Sequence, residues 1–394
     1  MTVEPMTPHI LFVVSGPTLG GAERQLCYFL KHYDRAVLRC SVLTVLSSTS
    51  PRCIGKTDFR QGLQEANIPV HSLNLSRFPT CGGLASLTQK IRQISPDIIQ
   101  SYGLAVDLAV RHLPLGAVFK ISSMRGTEDH RSSAAFLIDG LTGRIQLSGY
   151  ISNSHAGKQT LIKRGWVSAK QICVIPNGID PSPFVTAAQS DTRSRTRQSL
   201  NIQENTSVIC CIANIYPQKG YTHLLRAVRS LTDSLPIEVL LIGEDRTNGQ
   251  LQTLIRQLSL RDVMKPLGTR HDIPELLAAS DIFTLPSLQE GMPNAILEAM
   301  SAGLPIIGTA VGDISQMLDN GRCGTVIQKA NADQLANAIA RYIRDPAYAQ
   351  QHGKLAQDRV THCYSLDNMV SAHEQVYTSI RNVPRNCFAQ LTTS

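Results

Sequence analysis

Short apolar segments alternate with amphipathic segments along most of the chain. The first, HILFVVSG at residues 9–16, is a continuous apolar run that ends on glycine. Such a run is typical of a parallel strand that is buried on both faces. The next segment, GGAERQLCYFLKHY, carries its apolar residues at helical spacing, at Ala22, Leu26, Phe29 and Leu30. The pattern therefore predicts an opening strand followed by a helix.

The alternation continues through the first half and restarts in the second. Strand-like segments in the first half are CSVLTVL, IPVHSL, PDIIQSY, AVFKISSM and YISNS. Those in the second half are SVICCIANI, IEVLLIG, DIFTLP, LPIIGTA and GTVI, with helical patterns such as YTHLLRAVRSL, LQTLIRQLSL and NAILEAMSAG between them. Strands that alternate with helices indicate doubly wound parallel sheets. We predict two α/β, Rossmann-like domains, which are not tandem copies because the halves share no repeat.

A change in composition marks the expected domain boundary. ICVIPNGID is followed by the polar stretch PSPFVTAAQSDTRSRTRQSLN, so the boundary is placed near residue 181. This predicts an N-terminal domain at 1–181 and a C-terminal domain at 182–365. A helical segment at 366–383 is expected to pack back towards the N-terminal domain, and the tail at 384–394 is expected to fray.

Length and composition narrow the class of protein. The 394 residues suit two domains, and no apolar run reaches the roughly 20 residues of a membrane-spanning helix. The start, MTVEPMTPH, shows no basic region followed by an apolar one, so we expect a cytoplasmic protein. The ten cysteines show no metal-ligand spacing, and we expect buried, reduced thiols, as at Cys210 and Cys211.

The positive charge lies entirely in the first half. Residues 1–181 hold 19 Lys/Arg and 11 Asp/Glu (19 − 11 = +8), and residues 182–394 hold 19 of each. This bias is either surface composition or a sign that the N-terminal half meets something anionic. Its members include Lys31, Arg35 and Arg39, whose four-residue spacing predicts one basic edge on the first helix, and also Arg111, Arg125, Arg131, Lys163 and Arg164.

An anionic membrane surface is one partner that this charge would suit. The protein would then lie peripherally on the inner face of the cytoplasmic membrane. Nucleic acid is a poorer partner, because no nucleic-acid module is recognisable and the basic residues are not interleaved with aromatic ones.

The segment SLQEGMPNAILEAMSAG at 287–303 carries the clearest candidate chemistry. DIFTLP should deliver it to the carboxyl edge of the second sheet, where open α/β sheets bind ligands. Pro293 suits the first turn of the next helix. The helix start then offers backbone amides to a phosphate, those of Asn294, Ala295 and Ile296. Glu290 precedes this helix and Glu298 lies inside it, although neither glutamate is unusual by itself.

The longer segment SLQEGMPNAILEAMSAGLPIIGT resembles the signature of the family 4 retaining glycosyltransferases of the GT-B fold. The resemblance extends through GGAE, PNGID, QKG, LLIGE and LGTRHDIPELLAASDIFTLPS, to about residue 380. It implies two Rossmann-like domains that face each other across a cleft. It also implies transfer of a sugar from a UDP- or GDP-linked donor to a hydroxyl acceptor, with retention of anomeric configuration. The acceptor would be a glycan or a lipid-linked glycan of cell-surface polysaccharide or glycolipid assembly.

The resemblance also implies residue roles. Glu290 would hydrogen-bond donor-sugar hydroxyls, and Glu298 would accept both ribose hydroxyls. Lys219 would neutralise the diphosphate as charge develops on the leaving group. The other members of the donor site would be Gly291, Asn214, Arg270, Gly20 and Gly21, together with the helix amides. Because no metal-ligand cluster is visible, we expect no metal or other cofactor.

The sequence leaves the role of two glycines open and indicates a structural role for one turn. Gly20 and Gly21 lie between a strand and a helix start, where they would let the loop approach a phosphate or simply close a tight turn. Asn177, Gly178 and Asp180 are expected to form a mainly structural turn.

The chain departs from the family at several positions. Asn214 stands where a second cation is common, and Arg125–Gly126 stands where His–Gly is common. Asp313 and Gln316, in GDISQ, stand where Gly-Gly-Glu is usual. Arg125 stays protonated and cannot act as a general base, but it could bind the donor or an anionic acceptor. The departures therefore concern the acceptor side more than the donor site.

Two other functions remain open at this point. A GT-B-fold sugar-nucleotide epimerase would share the fold and the nucleotide site, although the Glu290 and Glu298 pair argues against it. A non-catalytic nucleotide-sugar-binding subunit would also be consistent with Asn214 and Arg125.

Overall fold

The computed structural model describes residues 7–50, 53, 58–126, 142, 146–163, 167–189, 191–380 and 388. The chain forms two compact units. Unit 1 comprises Met1–Gly178 and Leu366–Ser394, and unit 2 comprises Ile179–Ser365. The division falls after Gly178, three residues before the boundary expected from composition. The C-terminal helix belongs to unit 1, although unit 2 separates it from the rest of that unit in sequence.

Unit 1 is built on a parallel sheet in the order β3-β2-β1-β4-β5-β6-β7. The strands are β1 His9–Val14, β2 Arg39–Leu46, β3 Val70–Leu75, β4 Ile98–Tyr102, β5 Phe119–Met124, β6 Gly149–Ser152 and β7 Ile172–Val174. Its helices are α1 Gly21–His32, α2 Arg60–Glu65, α3 Cys81–Ile94, α4 Leu104–His112, α5 His155–Lys163 and the C-terminal Leu366–Ser379, numbered α15.

Unit 2 is built on a second parallel sheet, in the order β10-β9-β8-β11-β12-β13. The strands are β8 Ser207–Ile212, β9 Ile237–Ile242, β10 Met264–Gly268, β11 Ile282–Leu285, β12 Ile306–Thr309 and β13 Thr325–Ile327. The helices are α6 Ser182–Gln189, α7 Thr192–Ser199, α8 Tyr221–Arg229, α9 Gln250–Gln257, α10 Ile273–Ala278, α11 Asn294–Ser301, α12 Ile314–Met317, α13 Ala332–Arg344 and α14 Pro346–Cys363.

The central strands are buried on both faces, as their continuous apolar runs predict. In β1, Ile10 and Phe12 enter the core beneath α1 and α15, and Leu11 enters the core beneath α3 and α4. In β8, Cys210 and Ile209 point into the two cores of unit 2 in the same alternating way. Each sheet is therefore covered by helices on both sides, and the predicted doubly wound α/β fold is confirmed.

Each sheet has a point where the strand order reverses. In unit 1 this point lies between β1 and β4, and in unit 2 it lies between β8 and β11. Loops that leave neighbouring strands at such a point diverge to opposite faces and open a crevice at the carboxyl edge. The topology thus singles out the loops that follow β8 and β11.

The polar stretch at 181–201 is not a simple connection, because it forms α6 and α7. Arg193 and Arg197 of α7 each place a guanidinium nitrogen 2.6 Å from the Asp281 carboxylate. Arg197 is buried and also donates to backbone carbonyl oxygens. The polar composition therefore reflects a helix anchored by ion pairs. The alternation of apolar segments also gave no clear signal for β10 or α13.

Most described cysteines fit the expectation of buried free thiols. Cys210 and Cys211 are fully buried, and burial raises the pKa of the Cys211 thiol to about 12. The expectation is wrong for Cys81 and Cys363, which are exposed. Cys387 lies outside the described residues.

Candidate active site

Two loops meet at the carboxyl edge of the unit 2 sheet. Strands β8 and β11 are hydrogen-bonded neighbours, with Ile209 opposite Ile282 and Cys210 opposite Phe283. The loop after β8 carries Lys219, and the loop after β11 carries Glu290. The reversal of strand order therefore brings together two residues that lie 71 positions apart in sequence.

Lys219 and Glu290 form an ion pair. The Lys219 Nζ donates to the Glu290 Oε1 over 2.6 Å, and the two side chains are 15% and 9% exposed. The Ser287 hydroxyl donates to the same oxygen over 2.6 Å. Ser287 is itself held by Thr309, whose hydroxyl donates to the Ser287 carbonyl oxygen over 2.5 Å. The carboxylate thus has a fixed position between a cation and a hydroxyl group.

The lysine in this pair stays charged. Burial by itself lowers the pKa of Lys219, but the adjacent Glu290 carboxylate outweighs burial and holds the pKa above the ordinary lysine value. An ammonium group has three N–H donors, so Lys219 can hold Glu290 and still donate to a ligand oxygen. The site thus offers a permanent cation at the edge of the sheet.

Gly220 allows the two loops to approach closely. Its φ is +70°, and a Cβ atom at this position would lie 2.0 Å from the Pro286 carbonyl oxygen. A backbone bond from the Leu288 N–H to the Gln218 oxygen, 2.7 Å long, joins the same two loops. Only glycine can adopt this left-handed conformation easily and also fit into the space beside Pro286.

We predict that Gly220→Ala separates the two loops and lowers turnover tenfold or more, because displacement of a catalytic group by about 1 Å can cost roughly 10²-fold. The matched control is Gly249→Ala, where φ is +84° but no atom lies within 4 Å of the added Cβ. The control should lose about 1–2 kcal/mol of unfolding free energy, the cost of a Cβ in the left-handed region, and keep its activity. Steady-state kinetics and thermal unfolding of both variants provide the measurement. Equal activities in the two variants would contradict the role assigned to the close approach.

A third loop supports the segment that carries Glu290. The Asp313 N–H donates to the Gly291 carbonyl oxygen over 2.8 Å. At Gly312, φ is +57° and an added Cβ would lie 2.4 Å from that same oxygen. Asp313 is buried and precedes α12. The GDISQ segment therefore braces the Glu290 loop, a contact that the sequence did not indicate.

The start of α11 differs in detail from the prediction. Pro293 is the residue before the helix rather than part of its first turn, with φ −75° and ψ 125°, and α11 begins at Asn294. The Ile296 N–H donates to the Pro293 oxygen over 3.2 Å, so this amide is not free as expected. Ala295 is partly buried against the core. The amino end of α11 still lies directly after the loop that carries Glu290.

Glu298 lies within α11 and is 93% buried, with a relative exposure of 7%. Its carboxylate is close enough to Cys210 of β8 to add to the effect of burial, which raises the pKa of that thiol. A buried carboxylate in a helix beside the switch point is consistent with the implied ribose contact, which stays a prediction.

Two other predicted donor-site residues are engaged elsewhere at the edge of unit 2. The Asn214 Oδ1 accepts the Glu244 N–H over 3.1 Å, which ties the loops after β8 and β9 together. Arg270 is exposed after β10, and its Nε donates to the Asp272 Oδ1 over 2.8 Å. The Arg270 guanidinium holds the pKa of Asp272 below its usual value. None of the contacts described brings Arg270 to the Lys219–Glu290 pair.

In unit 1, the glycine pair begins α1 directly. The Glu23 Oε2 accepts the Gly20 N–H over 3.1 Å, and a Cβ on Gly20 would lie 2.7 Å from that oxygen. Gly21 is the first residue of the helix. Of the two interpretations that the sequence left open, this contact supports turn closure for Gly20.

Gly178 is held by side-chain hydrogen bonds, in agreement with the structural turn predicted at this position. The Gln25 side chain of α1 accepts the Gly178 N–H and donates to its carbonyl oxygen, each over 3.0 Å. Asp180 accepts the Ser182 N–H over 2.9 Å at the start of α6. Asn177, however, also contacts Arg125, whose Nη1 lies 3.5 Å from the Asn177 Oδ1.

Unit 1 contains a pocket that the sequence patterns did not indicate. The pocket has a volume of about 460 Å³ and lies at the carboxyl ends of β2 and β3. Its described lining residues are Leu46, Ser50, Ser76, Arg77, Phe78, Pro79 and Thr80. This volume falls within the range of small-molecule sites. Mixed apolar and polar walls suit a ligand with both characters.

Within the described ranges, no group of three or more His, Cys, Asp or Glu residues could hold a metal ion. Likewise, no helix in the described part of the chain is long and apolar enough to span a membrane.

Two α/β units, each built on a parallel sheet with helices on both faces, form the fold of the GT-B glycosyltransferases. Family models match both units: "Glycosyltransferase Family 4" matches residues 19–183, and "Glycosyl transferases group 1" matches residues 192–359. The chain belongs to glycosyltransferase family 4.

Similar proteins agree with this assignment. The chain is 30% identical over 228 residues to the UDP-Gal:α-D-GlcNAc-diphosphoundecaprenol α-1,3-galactosyltransferase of Escherichia coli, covering 56% of this chain and 57% of the relative. It is 29% identical over 170 residues to the E. coli lipopolysaccharide glucosyltransferase WaaG, covering 43% and 45%. The chain thus spans about half the length of these relatives. Anabaena HepE, solved in complex with UDP and glucose, has the same fold, with a TM-score of 0.81 at 23% identity over 95% of this chain and all of HepE.

Proposed function

We propose that this protein transfers a sugar from a nucleotide diphosphate sugar to an acceptor hydroxyl with retention of configuration. The observation that carries the proposal is the Lys219–Glu290 pair at the carboxyl edge between β8 and β11, in a chain of family 4. Lys219 would bind the diphosphate, and Glu290 would accept hydrogen bonds from sugar hydroxyls. Gly291 and the amino end of α11 would complete the diphosphate site.

In the proposed reaction, the acceptor oxygen bonds to the anomeric carbon on the face from which the diphosphate departs. The bond between that carbon and the diphosphate oxygen breaks, and its electron pair stays on the diphosphate. The acceptor proton passes to a leaving phosphate oxygen, so no separate base is needed. Lys219 stabilises the charge that develops on this oxygen.

The donor class can be tested with a panel of UDP- and GDP-sugars against the full-length protein. The correct donor at 100 times its Kd should stabilise the fold by about 2.7 kcal/mol. UMP, which lacks the diphosphate, is the matched control and should stabilise less. Product analysis then separates the alternatives, because a new glycosidic bond supports transfer and an epimerised nucleotide sugar indicates an epimerase. The proposal would be overturned if no member of the panel bound.

We further propose that Lys219 and the backbone at the start of α11 stabilise the diphosphate without a metal ion. Transfer should then proceed at the same rate in excess EDTA as in added Mg²⁺ or Mn²⁺. Initial rates in the two conditions provide the measurement. Loss of activity in EDTA, with recovery on adding either metal, would contradict metal independence.

We propose a lipid-linked acceptor, which would bring unit 1 to an anionic membrane surface. The E. coli galactosyltransferase is named for a diphosphoundecaprenol-linked acceptor, and the unit 1 pocket combines apolar walls with Arg77.

The basic residues of unit 1 do not form the single helix edge that their spacing predicted. Helix α1 ends at His32, so it carries Lys31 but neither Arg35 nor Arg39, and Arg111 is buried. Arg131 and Arg164 lie outside the described residues.

Exposed Lys31 and Arg35 therefore provide the test of membrane association. At about 1 kcal/mol per basic residue, replacing both with glutamine should weaken binding to anionic vesicles roughly thirtyfold at low salt. A matched control replaces two exposed arginines of unit 2, Arg256 and Arg261. Co-sedimentation with phosphatidylglycerol and phosphatidylcholine vesicles measures the effect. Equally weak binding of the unmodified protein to both vesicle types would favour a soluble acceptor.

A further inference from the structure

Arg125 lies at the carboxyl edge of the unit 1 sheet, directly after β5. Its guanidinium is partly buried and contacts neutral groups. The Nη2 donates to the Tyr102 hydroxyl over 3.2 Å, and the Nη1 donates to the Asn177 Oδ1 over 3.5 Å. The guanidinium also lies 5.3 Å from the centre of the Tyr102 ring.

No carboxylate compensates this cation among the residues that the structure describes. Arg111 of the same unit provides the contrast, because it is more deeply buried and forms an ion pair with Asp107. His373 lies close enough to Arg125 to be affected by its positive charge. Burial, with a smaller contribution from Arg125, lowers the pKa of His373 to about 3, so this side chain is neutral. A partly buried charge without a counterion is unfavourable, and an anionic ligand would relieve it.

The polar groups around Arg125 have hydrogen-bonding capacity that their contacts with one another do not use. The Asn153 side chain follows β6 and is 5% exposed, and its Nδ2 donates to the Asn177 Oδ1 over 3.4 Å. Within the described part of the chain, the Asn153 Oδ1 and the Arg125 Nε are buried without hydrogen-bond partners. Strands β4, β5 and β6 are adjacent in the sheet, so Tyr102 at the end of β4 lies beside Arg125 and Asn153, which directly follow β5 and β6.

The C-terminal helix orients this cluster through a buried chain of hydrogen bonds. The Tyr377 hydroxyl of α15 donates to the Gln100 Oε1. The Gln100 Nε2 donates in turn to the Ser123 hydroxyl over 2.7 Å and to the Tyr102 hydroxyl over 3.3 Å. Gln100 and Tyr377 are fully buried. The Tyr102 oxygen thus accepts from both Gln100 and Arg125, which fixes it beside the guanidinium.

We propose that Arg125 is the centre of an oxyanion-binding subsite in unit 1, with Tyr102, Asn153 and Asn177 as its walls and Tyr377 as a positioning residue. This inference rests on the proposed function for the source of the ligand. The oxyanion is a phosphate or diphosphate, carried either by the sugar donor or by the acceptor.

The test is titration of the full-length protein with inorganic pyrophosphate, in the absence of nucleotide and at saturating UDP or GDP. Arg125→Gln should weaken pyrophosphate binding tenfold or more. Arg39→Gln is the matched control, because it removes the same charge from an exposed residue at the opposite, amino-terminal edge of the sheet. Arg125→Lys keeps the charge but loses the forked donor geometry, so it should recover only part of the affinity.

The outcomes separate the two sources. If pyrophosphate binds the nucleotide-saturated protein and Arg125→Gln abolishes this, the subsite serves the acceptor. If Arg125→Gln weakens binding of the nucleoside diphosphate itself tenfold, the subsite serves the donor. The inference is overturned if Arg125→Gln and Arg39→Gln bind both ligands equally well. Absence of nucleotide binding by the unmodified protein would instead refute the proposed function, and pyrophosphate without nucleotide would still test the subsite.

The positioning role of Tyr377 has a separate readout. Tyr377→Phe removes only the hydroxyl that holds Gln100, so pyrophosphate affinity should fall severalfold with Arg125 still present. In the Arg125→Gln background the same change should have no further effect, because there is no guanidinium left to orient. A purely structural role would lower thermal stability equally in both backgrounds and leave affinity unchanged, which would overturn the role of Tyr377.

Discussion

Replacing Glu290 with glutamine should reduce sugar transfer by about 10²-fold while the protein remains folded. The substitution keeps the size of the side chain but removes its charge and one acceptor oxygen. Groups that act on charge developing in the transition state typically contribute an effect of this size. Because the Glu290 side chain lies at the sheet edge and not in an apolar core, unfolding is not expected. The measurement is kcat with the donor identified from the panel, together with a thermal unfolding curve.

A second Lys–Glu pair in unit 2 provides the control for this substitution. Lys265 and Glu238 are 3.0 Å apart and are also partly buried, but they lie on β10 and β9, away from the switch point. Glu238→Gln should therefore disturb a similar ion pair without affecting turnover. If Glu290→Gln and Glu238→Gln turned over equally fast, Glu290 would have only a structural role.

Replacing Lys219 with alanine should also lower turnover by about 10²-fold, because the leaving diphosphate loses its cation. The pKa of Lys219 is raised in the folded protein, so the lysine remains charged throughout the neutral range. The contribution of the pair to folding is therefore present below the ordinary lysine pKa and is lost only as the pH rises above it. A pH–rate profile of the unmodified protein should show no loss attributable to Lys219 below about pH 10.

Lys265→Ala is the matched control for Lys219→Ala, and the double variant of Lys219 and Glu290 tests whether the pair acts as a unit. The double variant should be only slightly slower than either single variant, because paired groups are not additive. Full additivity, near 10⁴-fold, would mean that the two residues act independently and that their 2.6 Å contact has no functional role.

The sequence alone was sufficient for the class of fold. The central strands of both sheets are short apolar runs because both of their faces are buried, and this pattern can be recognised without knowing their neighbours. The segment from Ser287 to Gly303 similarly carries its own information, since a strand, a loop glutamate and a helix follow one another within a few residues. The family resemblance therefore singled out Glu290, Glu298 and Lys219 as candidate site residues from local sequence.

Local sequence was less informative where distant residues determine the role. The polar stretch before residue 201 forms α7 because Asp281 is positioned to pair with Arg193 and Arg197. Lys31, Arg35 and Arg39 have helical spacing, but the chain leaves the helix after His32 and enters β2 at Arg39. Arg111 counts as a surface charge in the sequence, but Asp107 allows it to be buried. In each case a partner residue, or the end of the helix, determines the environment of the side chain, and the spacing of residues in the sequence does not.

The sequence by itself determined that this protein has two parallel α/β sheets and which loop glutamate and lysine to consider. Only the tertiary structure decided that these two groups meet, because contact across 71 residues depends on β8 and β11 being adjacent, and strand order is not encoded in any local pattern. Tertiary structure also decided that Gly220 must lack a side chain, since the Pro286 oxygen occupies the space. It likewise distinguished Arg125 from Arg111, because a counterion is a property of the folded neighbourhood and not of the residue.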